Sequence, residues 1–287
     1  MTQQFYVSPE QMMKDRADFA RKGIARGRSV VVLTCRDGIA LVAENPSPSL
    51  HKLGEIYDRI GFAAVGKYNE FESLRQAGVR YADVRGYSYS REDVSARGLA
   101  SVYAQSLGSV FTTEGKPFEV ELAVAEVGTE PYSDHLYRLT FDGSIADESN
   151  FVVMGGQAEV VREALSRTWN QDTGFPEAVR TAVAALSATR SPASASNGAA
   201  AGGSTANGST TNSEATNSAG TGGSGSGSSS GYGGGEAAPA EPEQLGAGLL
   251  EVAVLDRAPL SSRGTVRAFR RINTVELDRL LAGPEGD

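Results

Sequence analysis

Two short stretches contain residue types that hydrolysis or nucleotide binding would need. Ser133, Asp134 and His135 could supply a nucleophile, an acid and a base. They are sequence neighbours in a polar turn, however, whereas the members of a catalytic triad come from distant segments, so we interpret them as a solvated loop. Gly66-Lys67 stands between a strand pattern and a helix pattern, but the leading glycine of a phosphate loop is missing. Neither stretch predicts an active site.

Metal and thiol chemistry are also poorly supported. The two histidines, His51 and His135, are far apart in the sequence, so a His/Cys metal cluster lacks ligands. The single cysteine, Cys35, excludes an internal disulfide and fits a reducing compartment. It stands at the end of a predicted strand, where a packed cysteine is much commoner than a nucleophile. We expect neither a metal nor a cofactor.

The composition limits the classes of partner. The chain has 287 residues, 40% of them hydrophobic, with a formal net charge of -8 and a pI of about 5.0. No basic face indicates a nucleic acid partner. No apolar run is long enough to span a bilayer, and the segment MTQQFYVSPE lacks the layout of a signal peptide. We expect a soluble cytoplasmic protein that binds neither nucleic acid nor membrane.

Hydrophobic patterning predicts strands and helices that alternate in groups. The predicted strands are 29–35, 38–44, 52–57, 60–65, 120–127, 136–141, 151–154, 249–255 and 266–272, and the predicted helices are 69–84, 91–111, 157–169, 176–189 and 274–281. A tight turn at Arg36-Asp37-Gly38 indicates a hairpin between the first two strands. Helices in pairs argue against single crossover helices between parallel strands. They predict an α+β fold, a four-layer αββα sandwich of two stacked antiparallel sheets with a helical layer outside each.

A further helix is predicted ahead of the first strand. Ser8 can cap it, Pro9 suits its first position, and Gln11 stands where a capping-box partner would reach back. Its apolar stripe is thin and consists of Met13, Ala17, Ala20 and Ile24. Such a helix needs a surface to lie on, and either the domain's own sheet or a neighbouring subunit could supply it.

The composition changes abruptly after residue 190. Residues 191–247 are rich in Gly, Ser and Ala, which cannot bury enough apolar surface to offset the entropy of ordering, so we expect a disordered insertion. It would act as a passive spacer or as a partner-binding arm. Two strands and one helix after it are too small to fold alone. We therefore expect one domain formed by residues 9–190 and 248–283, with a flexible segment at 1–8 and a short tail at 284–287.

Several motifs occur together in a recognisable order. They are Ser8-Pro9-Glu10, Phe19-Ala20-Arg21 through Gly27, Asp37-Gly38, LHKLGEIYDRIGFAAVGKYNEF at 50–71 and KPFEVELAVAEV at 116–127. In these motifs the chain resembles the α subunits of the proteasome core particle, most closely the actinobacterial ones. The resemblance implies the fold of the N-terminal-nucleophile hydrolases and, within it, a non-catalytic member. The chain departs from the family pattern at Glu119, where glycine is usual.

The resemblance also implies partners. Seven copies would form each outer ring of the particle and template the catalytic β rings. They would gate substrate entry and dock an AAA+ ATPase ring that delivers proteins tagged with a small ubiquitin-like protein. The proteolytic residues would belong to the β subunits.

Hydrolytic members of this fold use a terminal Thr, Ser or Cys at the start of the first strand, whose own amine is the base. Here residues 1–27 precede that strand, and the predicted helix occupies the position from which a hydrolytic relative would start. Thr2 is too far from the strand. The alternative is an amidohydrolase activated by cleavage after Arg28, which would expose Ser29 as the nucleophile.

By the same resemblance, Lys52 would line a pocket between subunits that receives the C-terminal tails of the ATPase. Taken alone, a lysine at this place would be a solvated residue at a strand edge. The pocket would also involve Asp18, Gly27 and Gly66, the glycines allowing close approach of another backbone.

Residues 1–8 would form the gate. Phe5 and Tyr6 would supply packing contacts between chains, and the gate would end at Ser8 and Pro9, which sets the direction of the chain. The Tyr-Asp-Arg cluster of archaeal and eukaryotic relatives is absent, so the contacts that close this gate are left open.

Overall fold

The computed structural model describes residues 8–190, 245–258 and 267–283. The strands are β1 (Val30–Cys35), β2 (Gly38–Glu44), β3 (Leu53–Tyr57), β4 (Ile60–Gly66), β5 (Val120–Glu126), β6 (His135–Leu139), β7 (Ile145–Glu148), β8 (Phe151–Met154), β9 (Leu250–Asp256) and β10 (Phe269–Ile272). The helices are α1 (Pro9–Ala25), α2 (Tyr68–Ser88), α3 (Ala96–Thr113), α4 (Ala158–Thr168), α5 (Phe175–Ser187) and α6 (Thr274–Ala282). No helix in these ranges is long and apolar enough to cross a membrane.

The strands form two antiparallel sheets that stack face to face. One has the order β10-β9-β2-β1-β8 and the other β3-β4-β5-β6-β7. Their inner faces share one apolar cluster. A second cluster joins the outer face of the first sheet to α4, α5 and α6, and a third joins the outer face of the second sheet to α2 and α3. The predicted four-layer αββα sandwich is confirmed, and the strands after the insertion complete the first sheet.

The hairpin between β1 and β2 is confirmed. Cys35 and Gly38 are paired across a two-residue turn. Gly38 has a φ of +149°, and a Cβ on it would lie 2.0 Å from the carbonyl oxygen of Leu255 in β9. Only glycine fits this close approach of two backbones.

Helix α1 packs on its own domain through its second half. Ala20 and Ile24 are buried in the cluster between the sheets, and Arg16 Nη1 donates to the carbonyl oxygen of Phe111, 2.7 Å away. The predicted stripe is wrong at its first member, because Met13 is 37% exposed. The first half of the helix therefore extends beyond the apolar surface that holds the second half.

The start of α1 is capped differently from the prediction. Ser8 Oγ accepts a hydrogen bond from the backbone nitrogen of Gln11, 3.2 Å away. The side chain of Gln11 does not return that contact but donates to Asp15, 2.7 Å away. Only half of the capping box forms, because the next turn offers the Gln11 amide a carboxylate.

Two elements differ from the predicted boundaries. Helix α3 begins at Ala96 instead of residue 91, because Ser90 caps a separate 3₁₀ turn and Ser95 then caps the helix. Strand β7 (Ile145–Glu148) was not predicted. It is an edge strand that pairs only with β6 and is largely exposed, so it has no apolar alternation to reveal it.

The described structure resumes within residues 191–247, the segment that was predicted from its composition to be an insertion. Leu245 and Ala247 are buried in the cluster of the first sheet, and the backbone nitrogen of Leu245 donates to Ser187 Oγ at 3.2 Å. The folded domain therefore resumes no later than Leu245, because the side chain of this residue packs against apolar residues. Residues 191–244 lie outside the described residues.

Candidate functional site

Lys52 lies at one end of the sandwich, where several strands begin or end. It comes just before β3, close to the start of β1 and the end of β2. Its Nζ donates to the carbonyl oxygens of Arg28, at 2.8 Å, and Glu44, at 3.1 Å. The side chain is only half-buried, yet its ammonium is directed at backbone oxygens of the first sheet. It is therefore not the freely solvated strand-edge residue of the simpler interpretation.

The carboxylate of Glu44 joins two arginines at this place. Glu44 Oε1 accepts from Arg28 Nη1 and from Arg190 Nη2, each at 2.8 Å. The Glu44 side chain is 12% exposed, whereas those of Arg28 and Arg190 are 47% and 30% exposed. Three cations thus contact Glu44, Lys52 at its backbone carbonyl oxygen and the two arginines at its carboxylate.

Glu251 of β9 supports the other side of Lys52. Its carboxylate accepts from the backbone nitrogens of Lys52, at 2.8 Å, and Leu53, at 3.3 Å, and also pairs with His51 and Arg271. The side chain is 10% exposed. One carboxylate of the first sheet therefore fixes the backbone at the start of β3 in the second sheet.

Burial lowers the pKa of Lys52 from the usual value of 10.5 to about 8. Desolvation of the ammonium is the largest cause, and Arg28 lowers the pKa further. The carboxylates of Glu44 and Glu251 oppose the shift. At neutral pH the group is mostly charged but close to its titration range.

The two glycines predicted for the pocket lie together at the same end of the sandwich. A Cβ on Gly27 would be 3.5 Å from the backbone nitrogen of Gly66. Gly66 has a φ of +104°, and a Cβ there would lie 1.9 Å from the carbonyl oxygen of Glu119. The close approach that favours glycine occurs within the chain itself. A role in receiving another chain stays a prediction.

Asp18 lies in α1 and pairs with Arg21 on the same helix, at 3.2 Å. Its side chain is 48% exposed. Within one chain it does not contact Lys52, so a shared pocket would need the geometry of an assembly. Of the predicted gate residues, Ser8 and Pro9 begin α1, whereas Phe5 and Tyr6 lie outside the described residues.

The candidate nucleophiles are held in structural roles. Ser29 is 5% exposed, and its carbonyl oxygen accepts a hydrogen bond from the backbone nitrogen of Glu44 at 3.1 Å. Cys35 is buried and donates from Sγ to the carbonyl oxygen of Gly38, at 3.3 Å. Burial raises the pKa of the Cys35 thiol to about 11, which keeps it protonated and unreactive.

The interpretation of residues 133–135 as a solvated loop is wrong for Asp134. Its side chain is 2% exposed, and its two oxygens accept from Arg257 at 2.7 and 2.8 Å. Arg257 also donates to the carbonyl oxygens of Cys35 and Gly128, each about 3 Å away. The carboxylate is part of a buried clamp between the two sheets, at the end of β1 opposite Lys52.

Sequence reasoning missed the charged residues that surround Lys52. Glu44 is the last residue of the strand GIALVAE and Glu251 is the second residue of the strand LEVAVLD, each beside apolar residues. An acidic residue in such a strand signals a buried pair, because an unpaired carboxylate is costly to bury. The signal was present, but it does not identify the partner.

Comparison with known proteins agrees with the fold. The family model described as "Proteasome subunit" matches residues 24–201. A "Proteasome subunit alpha" of Pseudarthrobacter chlorophenolicus is 62% identical over 282 residues, covering 98% of this chain and 100% of the relative. Proteins of the same name from Arthrobacter sp. (strain FB24) and Renibacterium salmoninarum are 61% and 58% identical, and the matched regions cover 98% and 100% of this chain and 99% and 98% of those relatives. The chain therefore belongs to the proteasome subunit family and is an alpha subunit of the actinobacterial type.

Proposed function

We propose that this alpha subunit is the non-catalytic scaffold and gate of its particle. Seven copies form each outer ring, template the catalytic β rings and restrict entry to the proteolytic chamber. The ring docks an AAA+ ATPase, and the assembled system degrades cytoplasmic proteins that carry a ubiquitin-like tag.

The observation that carries the proposal is the position of α1. Hydrolysis in this fold needs a free amine beside the nucleophile at the start of the first strand. Here α1 is anchored by Ala20 and Ile24 between the sheets, and the chain then continues through Arg28 into β1. Because that segment is packed into the core, it is a part of the fold and not a loosely attached propeptide.

The gate can be tested without disturbing α1. Because Ser8 caps the helix, the sharp variant deletes residues 1–7 and keeps Ser8 and Pro9. Assembled with the cognate β subunit, it should hydrolyse a small fluorogenic peptide faster than the wild-type particle. A milder variant keeps the full length and replaces Phe5 and Tyr6 by Ala. Its rate of peptide hydrolysis should lie between those of the deletion and the wild type. Equal rates for the deletion and the wild type would reject the gate.

The docking function rests on the Lys52 ammonium, which can pair with a terminal carboxylate. Lys52→Ala should reduce ATPase-stimulated degradation and leave the unstimulated peptide hydrolysis and the assembly unchanged. Arg36→Ala provides a control, because Arg36 pairs with Asp37 at the other end of β1, and it should be stimulated like the wild type. Equal stimulation of the Lys52→Ala particle and the wild type would contradict docking at this lysine.

One contact favours a second candidate function, the amidohydrolase with Ser29 as nucleophile. Lys52 Nζ donates to the carbonyl oxygen of Arg28, which belongs to the bond that self-cleavage would break. A cation at that oxygen would stabilise the charge formed during cleavage. The mass of the mature chain separates the two functions. A chain that keeps α1 has no N-terminal nucleophile, whereas a chain that begins at Ser29 would overturn the scaffold proposal.

A further inference from the structure

The surroundings of Lys52 carry a local positive charge. Arg28, Lys52, Arg190 and Arg271 contribute four positive charges, and Glu44 and Glu251, to which they bond, contribute two negative charges. The local balance is therefore positive, although the whole chain has a net charge of -8. Such a place favours an anionic ligand, because the opposing charge is already paired.

Arg28 has unused hydrogen-bond donors beside Lys52. Its Nη1 is bonded to Glu44, but within ranges 8–190, 245–258 and 267–283 its Nε and Nη2 have no partner. Its side chain is 47% exposed, so these donors are accessible. The Lys52 ammonium has three donors, of which two bond to carbonyl oxygens. The pair therefore offers one ammonium N–H of Lys52 and three guanidinium N–H donors of Arg28, one on Nε and two on Nη2.

The two cations are held at one place by the backbone. The carbonyl oxygen of Arg28 accepts from Lys52 Nζ, and both side chains contact Glu44. Arg28 also lowers the pKa of Lys52, so the two charges interact. Glu44 bonds to the Arg28 guanidinium through Nη1 alone. Among the described residues, the edge formed by Nε and Nη2 therefore has no partner.

We propose that Arg28 is a second carboxylate-binding residue of the docking site and selects a free C-terminal carboxylate. The inference rests on the proposed docking function and assigns to Arg28 a contact that a single ammonium cannot make. A guanidinium binds both oxygens of a carboxylate at once, whereas an ammonium acts as a point charge. A chain terminus has such a carboxylate, whereas an amidated terminus lacks it.

Peptide binding to the assembled particle tests this assignment. The probe is a short fluorescent peptide with the C-terminal sequence of the ATPase, prepared with a free carboxylate and with a C-terminal amide, and binding is read by anisotropy. Arg28→Ala should weaken binding of the carboxylate peptide by about fivefold to tenfold and leave the amide peptide unchanged. Arg36→Ala is the matched control, since Arg36 also pairs with one neighbouring carboxylate but lies at the other end of β1. It should bind both peptides like the wild type.

Arg28→Lys keeps the positive charge and removes the bidentate guanidinium. It is the variant to use if Arg28→Ala disturbs assembly. It should recover only part of the preference for the carboxylate over the amide. A wild-type preference in Arg28→Lys, or wild-type affinity in Arg28→Ala, would overturn the role of Arg28. If Lys52→Ala weakens binding and Arg28→Ala does not, only this inference fails. If Lys52→Ala has no effect, the docking proposal fails and the inference fails with it.

Discussion

Docking through Lys52 should depend on pH in a range where few other groups titrate. The pKa of Lys52 is lowered to about 8 by desolvation, against the opposing carboxylates of Glu44 and Glu251. With that pKa, the charged fraction falls from about nine-tenths at pH 7 to about one-tenth at pH 9. The carboxylate of a peptide stays ionised throughout, so its affinity should fall about tenfold over the same interval. The perturbation that isolates the effect is Lys52→Arg, because a guanidinium stays protonated.

The assay is anisotropy of the carboxylate peptide on assembled particles at pH 7, 8 and 9. Wild-type affinity should fall as the ammonium deprotonates, and Lys52→Arg should give a nearly flat profile. The Cys35 thiol, with a pKa raised by burial to about 11, stays protonated over this range. A flat wild-type profile, or the same slope in Lys52→Arg, would refute the reasoning.

The pH dependence of stability provides an independent check that folding lowers the pKa of Lys52. In the unfolded chain the pKa of Lys52 returns to its usual 10.5, so between about pH 8 and 10.5 the unfolded state binds more protons. The free energy of unfolding of the wild type relative to Lys52→Arg should therefore rise across this window. The cost of the half-buried charge is fully present below about pH 8, decreases as the pH rises above the folded-state pKa, and is gone above about pH 10.5. Docking and stability thus change in opposite directions, which excludes unfolding as the cause of lost binding.

Three further substitutions test the packing of the domain. Asp134→Asn should destabilise the subunit by about 3 kcal/mol, because it leaves the largely buried guanidinium of Arg257 without its carboxylate, and a denaturant titration would measure this. A loss below about 1 kcal/mol would contradict a buried pair. Tyr103→Phe should be neutral or stabilise by up to about 1 kcal/mol, since the buried hydroxyl has no hydrogen-bond partner among the described residues, and a lower melting temperature would contradict this. Gly66→Ala should lower the melting temperature strongly, because its positive φ and the nearby carbonyl oxygen leave no room for a Cβ, whereas Gly115→Ala, with nothing within 4 Å, should be neutral. Equal melting temperatures for the two alanine variants would contradict this geometry.

Local signals predicted much of the fold. The turn at Arg36-Asp37-Gly38 requires a residue free to adopt positive φ, and the hairpin formed there. Strand β7 could not be predicted, because an exposed edge strand obtains its hydrogen bonds from β6 and not from an apolar pattern of its own. The start of α3 was misplaced because two capping serines follow each other closely, and only tertiary packing selects the second as the start of the helix.

The site was less predictable than the fold, because its charges come from distant segments. Lys52 was identified by resemblance, and its neighbours Glu44 and Glu251 were identified only by the structure. Asp134 was misread for the same reason, since its partner Arg257 is 123 residues away. A sequence shows that an acidic residue stands beside the apolar residues of a strand. It does not show which cation lies opposite, because this depends on sheet stacking.

The contact between Lys52 and Arg28 gives the lysine a different chemistry from that of a general base. Proton transfer requires a partner that can release a proton, such as a hydroxyl or a terminal amine. Here the ammonium faces two carbonyl oxygens, which accept hydrogen bonds but have no proton to give. The lysine then acts through its charge. Because its pKa is lowered, that charge depends on the pH and on whether an anion is bound beside it. A bound carboxylate would replace part of the lost solvation and favour the charged form, so ligand and proton should bind cooperatively. This coupling is the physical reason to expect that Lys52 would serve the proposed docking through its charge and not through proton transfer.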